Sequence, residues 1–390
     1  MTEFSSIRQD FNVRYVYDVH FTSELFRDDN LLLLETLATD KKGTPARILA
    51  VVDEGVVQSQ RGLLGKIDAY VTRHRDKIQL VAPPLRVPGG EQCKNSVESL
   101  ERVLAQVNEF GIDRHSYILA IGGGAVLDMA GYAAALAHRG IRFVRVPTTL
   151  LAQCDSGVGV KNGINAFGKK NFLGTFVPPS AVLNDFEFLT TLEDRDWRSG
   201  IAEAVKVALI KDESFFDHIE RHAASLAKRD RTLTHQVIHR CAAMHLEHIG
   251  CNKDPFEKGS SRPLDFGHWA AHKLEQLTDY ELRHGEAVAI GIALDCVYSH
   301  LSGLLGSNAL ERILSTFETL GLQLYSPALL ECDPHSPKRT LSVFAGLQEF
   351  REHLGGELTL MLLKQIGSAV NVHQVDEALY RRAIHILKER

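Results

Sequence analysis

The sequence predicts an α/β protein whose first half folds as a parallel, doubly wound sheet, and three observations support this. Short β-rich runs alternate with helical stretches. The run at 117–121 (YILAI) passes through Gly122-Gly123-Gly124 directly into a small-residue helix, and a further strand at 143–146 follows the Arg139-Gly140 break. Strand, helix and strand in that order close as a right-handed crossover, the building unit of such sheets.

Taken in order, residues 47–52 (RILAVV) form a strand ending in Asp53-Glu54-Gly55. An acid at the C-terminal end of a strand is where α/β proteins bind a ribose. Residues 85–87 read as a strand broken by the turn Pro88-Gly89-Gly90, which leads to Glu91. Residues 96–110 carry apolar side chains at helical spacing, with Ser96 as N-cap.

The triple glycine places unhindered N–H groups at a helix N-terminus, a ready site for a pyrophosphate. It is not GxGxxG, so a plain tight turn is the alternative. The helix it opens runs through 129–138. After the strand at 143–146, Thr148 and Thr149 either bind a nucleotide or cap the next segment. The stretch 155–165, followed by Gly168-Lys169-Lys170-Asn171, is glycine-rich, polar and lysine-bearing. It reads as a lid over an anionic ligand or as a solvated hairpin.

At 390 residues the chain is long enough for two domains with full cores. Its 44% hydrophobic and 24% charged content are ordinary for a globular protein, and a net charge of −5 weighs against a nucleic-acid partner. No apolar stretch reaches membrane-spanning length, and residues 1–20 lack a signal-peptide core. The six cysteines (Cys93, Cys154, Cys241, Cys251, Cys296, Cys332) form no CxxC pair. Reduced thiols in a cytoplasmic protein are expected, with no membrane partner.

The second half holds the stretch 266–275 (FGHWAAHKLE). His268 and His272 are four residues apart and share a face of a helix. His284 follows in His-Gly-Glu at the head of an apolar helical run. Three close imidazoles point to a divalent metal. With 18 histidines in the chain, a chance pair at this spacing is the alternative. On helical phase alone, His268 and His272 would both be ligands.

GGGAVLDMAG, RGIRFVRVPTTLLAQCDSGVGVKNGIN, GKKNFLG, GIAEAVK, FGHWAAH and RHGEAVAIG occur in the order used by 3-dehydroquinate synthases and related sugar phosphate cyclases. The resemblance spans roughly residues 45–370. It implies a Rossmann-like NAD-binding α/β domain over 1–191 and an all-α metal- and substrate-binding domain over 192–390, with the active site between them. The implied metal ligands are Glu203, His268 and His284, holding Zn²⁺ or Co²⁺. His272 is then no ligand: it faces the substrate phosphate and moves protons together with Glu257, with Lys206 and Lys161 completing the catalytic set.

NAD is expected at Asp53, Glu91, Lys94, Gly123, Gly124, Asp128, Thr148, Thr149, Lys170, Asn171, Leu189 and Thr191. Asp155, Lys161, Lys206, Asp265 and His272 would meet the substrate, a small sugar phosphate. Arg139 matches an arginine that reaches a partner's substrate phosphate across a dimer interface, so a homodimer is expected.

The family reaction is a redox-neutral lyase chemistry: oxidation of a ring hydroxyl, β-elimination of phosphate, reduction, ring opening and aldol closure. Three positions depart from 3-dehydroquinate synthase. Ser261 replaces an arginine, Asp265 an asparagine and Glu247 a lysine, by count along the motif. Like charges about 4 Å apart cost roughly 4 kcal/mol at an effective dielectric near 20. A substrate carboxylate should therefore bind poorly, whereas a neutral hydroxymethyl end would be hydrogen-bonded by Asp265. Pro-Leu-Asp-Phe-Gly-His-Trp at 263–269 and FREHLGGE at 350–357 resemble sedoheptulose 7-phosphate cyclases of the 2-epi-5-epi-valiolone synthase type. The expected substrate is a seven-carbon ketose phosphate such as sedoheptulose 7-phosphate. The alternatives are 3-dehydroquinate synthase proper and, more remotely, an iron-type alcohol dehydrogenase, which would carry aspartate at position 203.

Overall fold

The computed structural model describes residues 6–37, 43–251, 255–256, 263–333, 340–353 and 356–390. Strands β1 (Asp18–Thr22), β2 (Ala46–Asp53), β3 (Ile78–Leu80), β4 (Leu85–Val87), β5 (Tyr117–Gly122) and β6 (Arg142–Pro147) lie in one seven-stranded sheet. Next in the chain, β7 (Lys161–Ala166) and β8 (Lys169–Phe176) form a separate antiparallel hairpin, and β9 (Ala181–Asp185) completes the sheet. The order is β1-β9-β6-β5-β2-β3, with β4 also on β2, and every pair is parallel.

Both faces of the sheet are covered, which is why its strands read as unbroken apolar runs. Helices α1 (Leu32–Thr36), α2 (Glu54–Ser59), α3 (Leu63–Arg73), α4 (Glu98–Glu109) and α5 (Gly124–Leu136) connect the strands. Leu49 and Val51 of β2 pack with Leu100 and Val103 of α4 and Val126 and Ala130 of α5. Ile48 and Val52 point the other way, onto Leu33 of α1 and Leu63, Ile67 and Tyr70 of α3. Each such side chain taken from water adds about 1.5–3 kcal/mol. Helix α4 starts one residue later than the sequence implies: Val97 precedes it and no side chain caps it, so Ser96 is not the N-cap. Glu98 and Glu101 in its first turn favour the positive end of the helix dipole instead.

Because the strands are parallel, Asp53, Gly122, Pro147 and Asp185 end neighbouring strands on one edge, where α/β sheets bind ligands. Register pairs Val52 with Ile121 and Gly122 with Pro147, so the ribose-type acid, the glycine turn and the two threonines are adjacent.

From Asp194 onward helices dominate: α6 (Asp194–Lys211), α7 (Glu213–Ala227), α8 (Arg231–Cys251), α9 (His268–Leu277), α10 (His284–Leu301), α11 (Ser307–Thr319), α12 (Ala345–His353) and α13 (Glu377–Glu389). This helical domain also carries a two-stranded hairpin, β10 (Leu360–Gln365) with β11 (Ser368–Val372). Helix α10 is its core element, buried from Ala287 to Ser299. Among the described residues no helix is long and apolar enough to cross a membrane.

Two glycines explain how α6, α9 and α10 approach so closely. A Cβ on Gly291 would overlap the carbonyl of Gly267, and one on Gly285 would overlap that of Ser199. Gly267 also holds φ +75° at the turn into α9, a conformation that costs glycine nothing. Backbone-to-backbone contact there brings Glu203 of α6 against the first residues of α9 and α10, His268 and His284.

Candidate active site

The ligand atoms of Glu203, His268 and His284 lie within 4.8 Å of one another. Glu203 Oε1 is 3.7 Å from His268 Nε2 and 3.5 Å from His284 Nε2, too far for good hydrogen bonds. Glu203 is fully buried, and neither of its oxygens receives a directed hydrogen bond. The far ring nitrogens are occupied: His268 Nδ1 is 3.0 Å from the Phe266 carbonyl and His284 Nδ1 is 3.2 Å from Glu275 Oε2. Each imidazole can thus donate backward through Nδ1 and present Nε2 to a shared centre, the arrangement of metal-binding histidines. A buried carboxylate whose Oε1 faces two such nitrogens, with no good hydrogen bond to either, fits a divalent cation.

Electrostatics agree with this. Burial pushes the His268 pKa well below its ordinary value, and Lys206 and His284 act in the same direction, so the ring is neutral. Burial opposes ionisation of Glu203, but Lys206 and His284 outweigh it and lower its pKa. Burial depresses His284, yet Glu275 and Glu203 overcome this and raise it to about 9. Without a metal, the excess negative charge draws a proton onto the ligand, which a cation would displace.

Around the sheet edge, Gly123 caps α5 with no side-chain partner, leaving its N-terminal N–H groups open. A Cβ on Gly124 would sit 2.5 Å from Ser156 Oγ, so any side chain there would have to displace that hydroxyl. Thr148 Oγ1 and Ser156 Oγ beside it are buried without partners. Open N–H groups and orphan hydroxyls fit a pyrophosphate, and with it NAD. Thr149 Oγ1 accepts from the Ala152 N–H at 3.2 Å, a capping contact that leaves its hydroxyl proton free to serve a nucleotide as well. Asp53 accepts from the Gly55 N–H at 2.8 Å, and burial raises its pKa.

Lys94 Nζ bonds Asp128 Oδ2 at 2.8 Å and also donates to Asn171 Oδ1. Glu91 joins this group through Asn165. Leu189 is buried in the short helix Phe186–Thr191, where Thr191 meets Gln60. Lys170 stays with the group: against the effect of burial, its charge helps to lower the Glu91 pKa, while its ammonium also reaches Glu275 at 2.8 Å.

Asp155 sits on a π-type turn, Ala152–Ser156, a distortion frequent at functional sites. Burial opposes its charge, but Lys206, His245 and Lys161 hold its carboxyl far below the usual range. Lys206 Nζ is 2.5 Å from Glu203 Oε2. Burial works against the Lys206 charge, while Glu203, Asp155 and Asp265 raise its pKa. Burial, Lys170 and His268 keep the His272 pKa well below its ordinary value, and the ring lies 5.4 Å from His268, centroid to centroid.

Not every expected residue converges. Glu247 is exposed on α8 with its charge acting on Lys211, so it does not occupy the place assigned to it by counting along the motif. The α8 residue that reaches the cleft is His245, whose Nδ1 is 2.7 Å from Asp155 Oδ1. Arg139 is exposed, with a left-handed φ of 61°, at the surface after α5. Glu257 and Ser261 lie outside the described residues.

The sequence reading missed four residues. Arg145, fully buried, donates to the carbonyls of Ser156, Gly157, Gly159 and Lys161 and to Asn162 Oδ1, shaping the loop that presents Asp155 and Lys161. The signal was an arginine inside an apolar strand. Glu275, three residues after His272, and His245, a helical histidine, were also visible in the pattern. Asp295 accepts from Gly267 N, Trp269 Nε1 and Tyr380 Oη behind His268, and nothing local announces it.

Two family models match end to end: the 3-dehydroquinate synthase N-terminal model over residues 84–199 and the C-terminal model over 200–342. A 3-dehydroquinate synthase from Halorhodospira halophila is 37% identical over 332 residues, 82% of this chain and 89% of that protein. A 2-epi-5-epi-valiolone synthase from Streptomyces hygroscopicus subsp. jinggangensis is 35% identical over 96% of this chain and 87% of its own length. The solved structure of ValA, the 2-epi-5-epi-valiolone synthase of that organism, has NAD⁺ and Zn²⁺ bound. It superposes with a TM-score of 0.84 at 33% identity, over 98% of this chain and 99% of that one. A 2-deoxy-scyllo-inosose synthase complexed with carbaglucose-6-phosphate, NAD⁺ and Co²⁺ shares the fold at TM-score 0.75 and 22% identity, covering 94% and 95%.

Proposed function

The chain belongs to the 3-dehydroquinate synthase family of sugar phosphate cyclases, and we propose that its own substrate is sedoheptulose 7-phosphate, closed to a carbocycle with loss of phosphate. The observation that carries this choice of substrate is Asp265, whose charge lies close enough to Lys206 to help raise its pKa. An anion in that place opposes a substrate carboxylate and accepts a hydrogen bond from a hydroxymethyl group. With Glu247 turned away, the argument rests on Asp265 and, from the sequence, Ser261.

Glu203, His268 and His284 would hold Zn²⁺ or Co²⁺. The glycine turn of Gly123 and Gly124, with Asp53, Thr148, Thr149, Leu189, Thr191, Lys170 and the Glu91–Lys94–Asp128–Asn171 group, would hold NAD. When bound, the metal supplies Lewis acidity and NAD accepts and returns a hydride. The protein's own groups do the rest. Asp155, kept ionised, accepts from a substrate hydroxyl, and Lys206 stays protonated and orients the ring oxygens. His272, neutral at pH 7, takes and returns a proton near the departing phosphate, with Glu257 as second proton carrier. Lys161 binds that phosphate, joined by Arg139 of a second subunit.

The role of Arg139 requires a homodimer. An apolar surface is present for it: Phe167, Phe172, Leu173 and Phe176 are exposed on or beside the β7–β8 hairpin, an unusual concentration for a monomer. Sedimentation should give twice the chain mass. We place the domain boundary after Thr191, where the short helix following β9 ends.

Turnover should release phosphate from sedoheptulose 7-phosphate without net NADH, and Glu203→Ala should abolish release while the protein stays folded. Undiminished release by that variant removes the metal assignment. Stoichiometric NADH with a simple alcohol would point to a dehydrogenase instead.

A further inference from the structure

We infer that Glu275 is a positioning residue that fixes the metal ligand His284 and ties it to the NAD-side hairpin, so that metal affinity depends on Lys170. The inference rests on the reading of Glu203, His268 and His284 as ligands. Glu275 is buried on α9, one turn beyond His272. Its Oε2 is 3.2 Å from His284 Nδ1, and its two oxygens accept from Lys170 Nζ at 2.8 and 3.0 Å.

Lys170 is the neighbour of Asn171, which accepts from Lys94, and Lys94 is paired with Asp128 at 2.8 Å. Through the adjacent residues Asn171 and Lys170, polar contacts link α5 to the hairpin and the hairpin to α9 and α10.

The chemistry of the chain is specific. A carboxylate accepting from Nδ1–H forces the other nitrogen to carry the lone pair, so His284 Nε2 faces Glu203 as a donor to metal. His272, Glu275 and His284 also bring ligand atoms within 4.8 Å of one another, a second candidate cluster. Both Glu275 oxygens are engaged by Lys170 or His284, which makes this carboxylate a support for the ligand. Lys170 holds the Glu275 carboxylate, which also meets His284, through both of its oxygens, and removing one partner of a buried pair leaves the other uncompensated. Loss of Lys170 should then loosen His284 through Glu275, at a distance from the metal itself.

The test measures Zn²⁺ affinity of the metal-depleted, full-length protein by competition with a chromophoric chelator, with folding checked by circular dichroism. Glu275→Gln should weaken Zn²⁺ binding tenfold to a hundredfold. Lys170→Met should weaken it severalfold, and should add nothing in the Glu275→Gln background. That double variant removes both charges, so it also guards against an unfolded single variant. The visible spectrum of the Co²⁺-loaded protein should shift in Glu275→Gln, which a loss of global stability alone would not cause. Affinity within twofold of wild type, or effects of the two substitutions that simply add, would overturn the proposal while leaving the ligand set intact. Zn²⁺ binding that survives unchanged in His284→Ala, or absent in the wild type, would overturn the ligand set itself.

Discussion

Lys206 Nζ lies 2.5 Å from Glu203 Oε2, one turn away on α6 and equally sealed from solvent. The pair keeps a buried carboxylate ionised in the place that the Nε2 atoms of His268 and His284 also face. Removing one partner of a buried pair leaves an uncompensated charge, typically worth about 3–5 kcal/mol. Lys206→Met should therefore destabilise the metal-depleted protein by roughly that amount. Saturating Zn²⁺ should restore much of the loss, because the cation takes over the neutralising role. Urea unfolding with and without Zn²⁺ measures both; an equal loss in the two conditions would contradict the arrangement.

Arg145 predicts a loop phenotype. Its guanidinium has no carboxylate partner among the described residues but serves five acceptors in the segment 156–162. Arg145→Lys cannot reach them all, and unmet buried groups cost about 1–3 kcal/mol each. Expected are a clear drop in stability and a KM for the sugar phosphate raised well beyond any change in NAD affinity. Equal weakening of substrate and NAD would show that the loop serves both.

Asp295 predicts a pH dependence. Burial raises its pKa to about 7, against three donated hydrogen bonds that pull it down. The folded-state pKa thus exceeds the unfolded one of 3.8. Its contribution is complete below pH 4 and is lost as pH climbs toward 7, at up to roughly 1.4 kcal/mol per pH unit. In Asp295→Asn this loss disappears. The stability difference between wild type and variant, measured by urea unfolding across pH 4–8, should therefore move in favour of the variant with rising pH. A constant difference would contradict the assignment.

Asp265→Asn removes the anion beside Lys206 and should raise kcat/KM for a carboxylate substrate tenfold or more relative to wild type, about 1.4 kcal/mol. Steady-state assays of phosphate release on both substrates decide this. No gain would mean that Asp265 does not face that end of the substrate.

These residues also show what could be read without the structure. The strand–glycine–helix junction at 117–136, the strand ends at Asp53 and Pro147 and the trio Glu203, His268 and His284 came from local pattern and motif order. They appear in the structure as one sheet edge and one cluster. Glu247 was misplaced because counting from an anchor ignores helical phase: two residues turn a helix by roughly 200°, which puts His245 in the cleft and Glu247 in solvent. Ser96 was misread because the first-turn acids of α4 do the work of a cap. Asp295 was invisible, since its partners Trp269 and Tyr380 are joined to it only by tertiary packing.

The most direct measurement is kcat/KM for phosphate release from sedoheptulose 7-phosphate beside that from the seven-carbon carboxylate substrate of 3-dehydroquinate synthase, with the same NAD- and Zn²⁺-loaded protein. Faster release from sedoheptulose 7-phosphate is the expected result. Faster release from the carboxylate compound would contradict the charge argument at Asp265 and assign the chain to 3-dehydroquinate synthase proper.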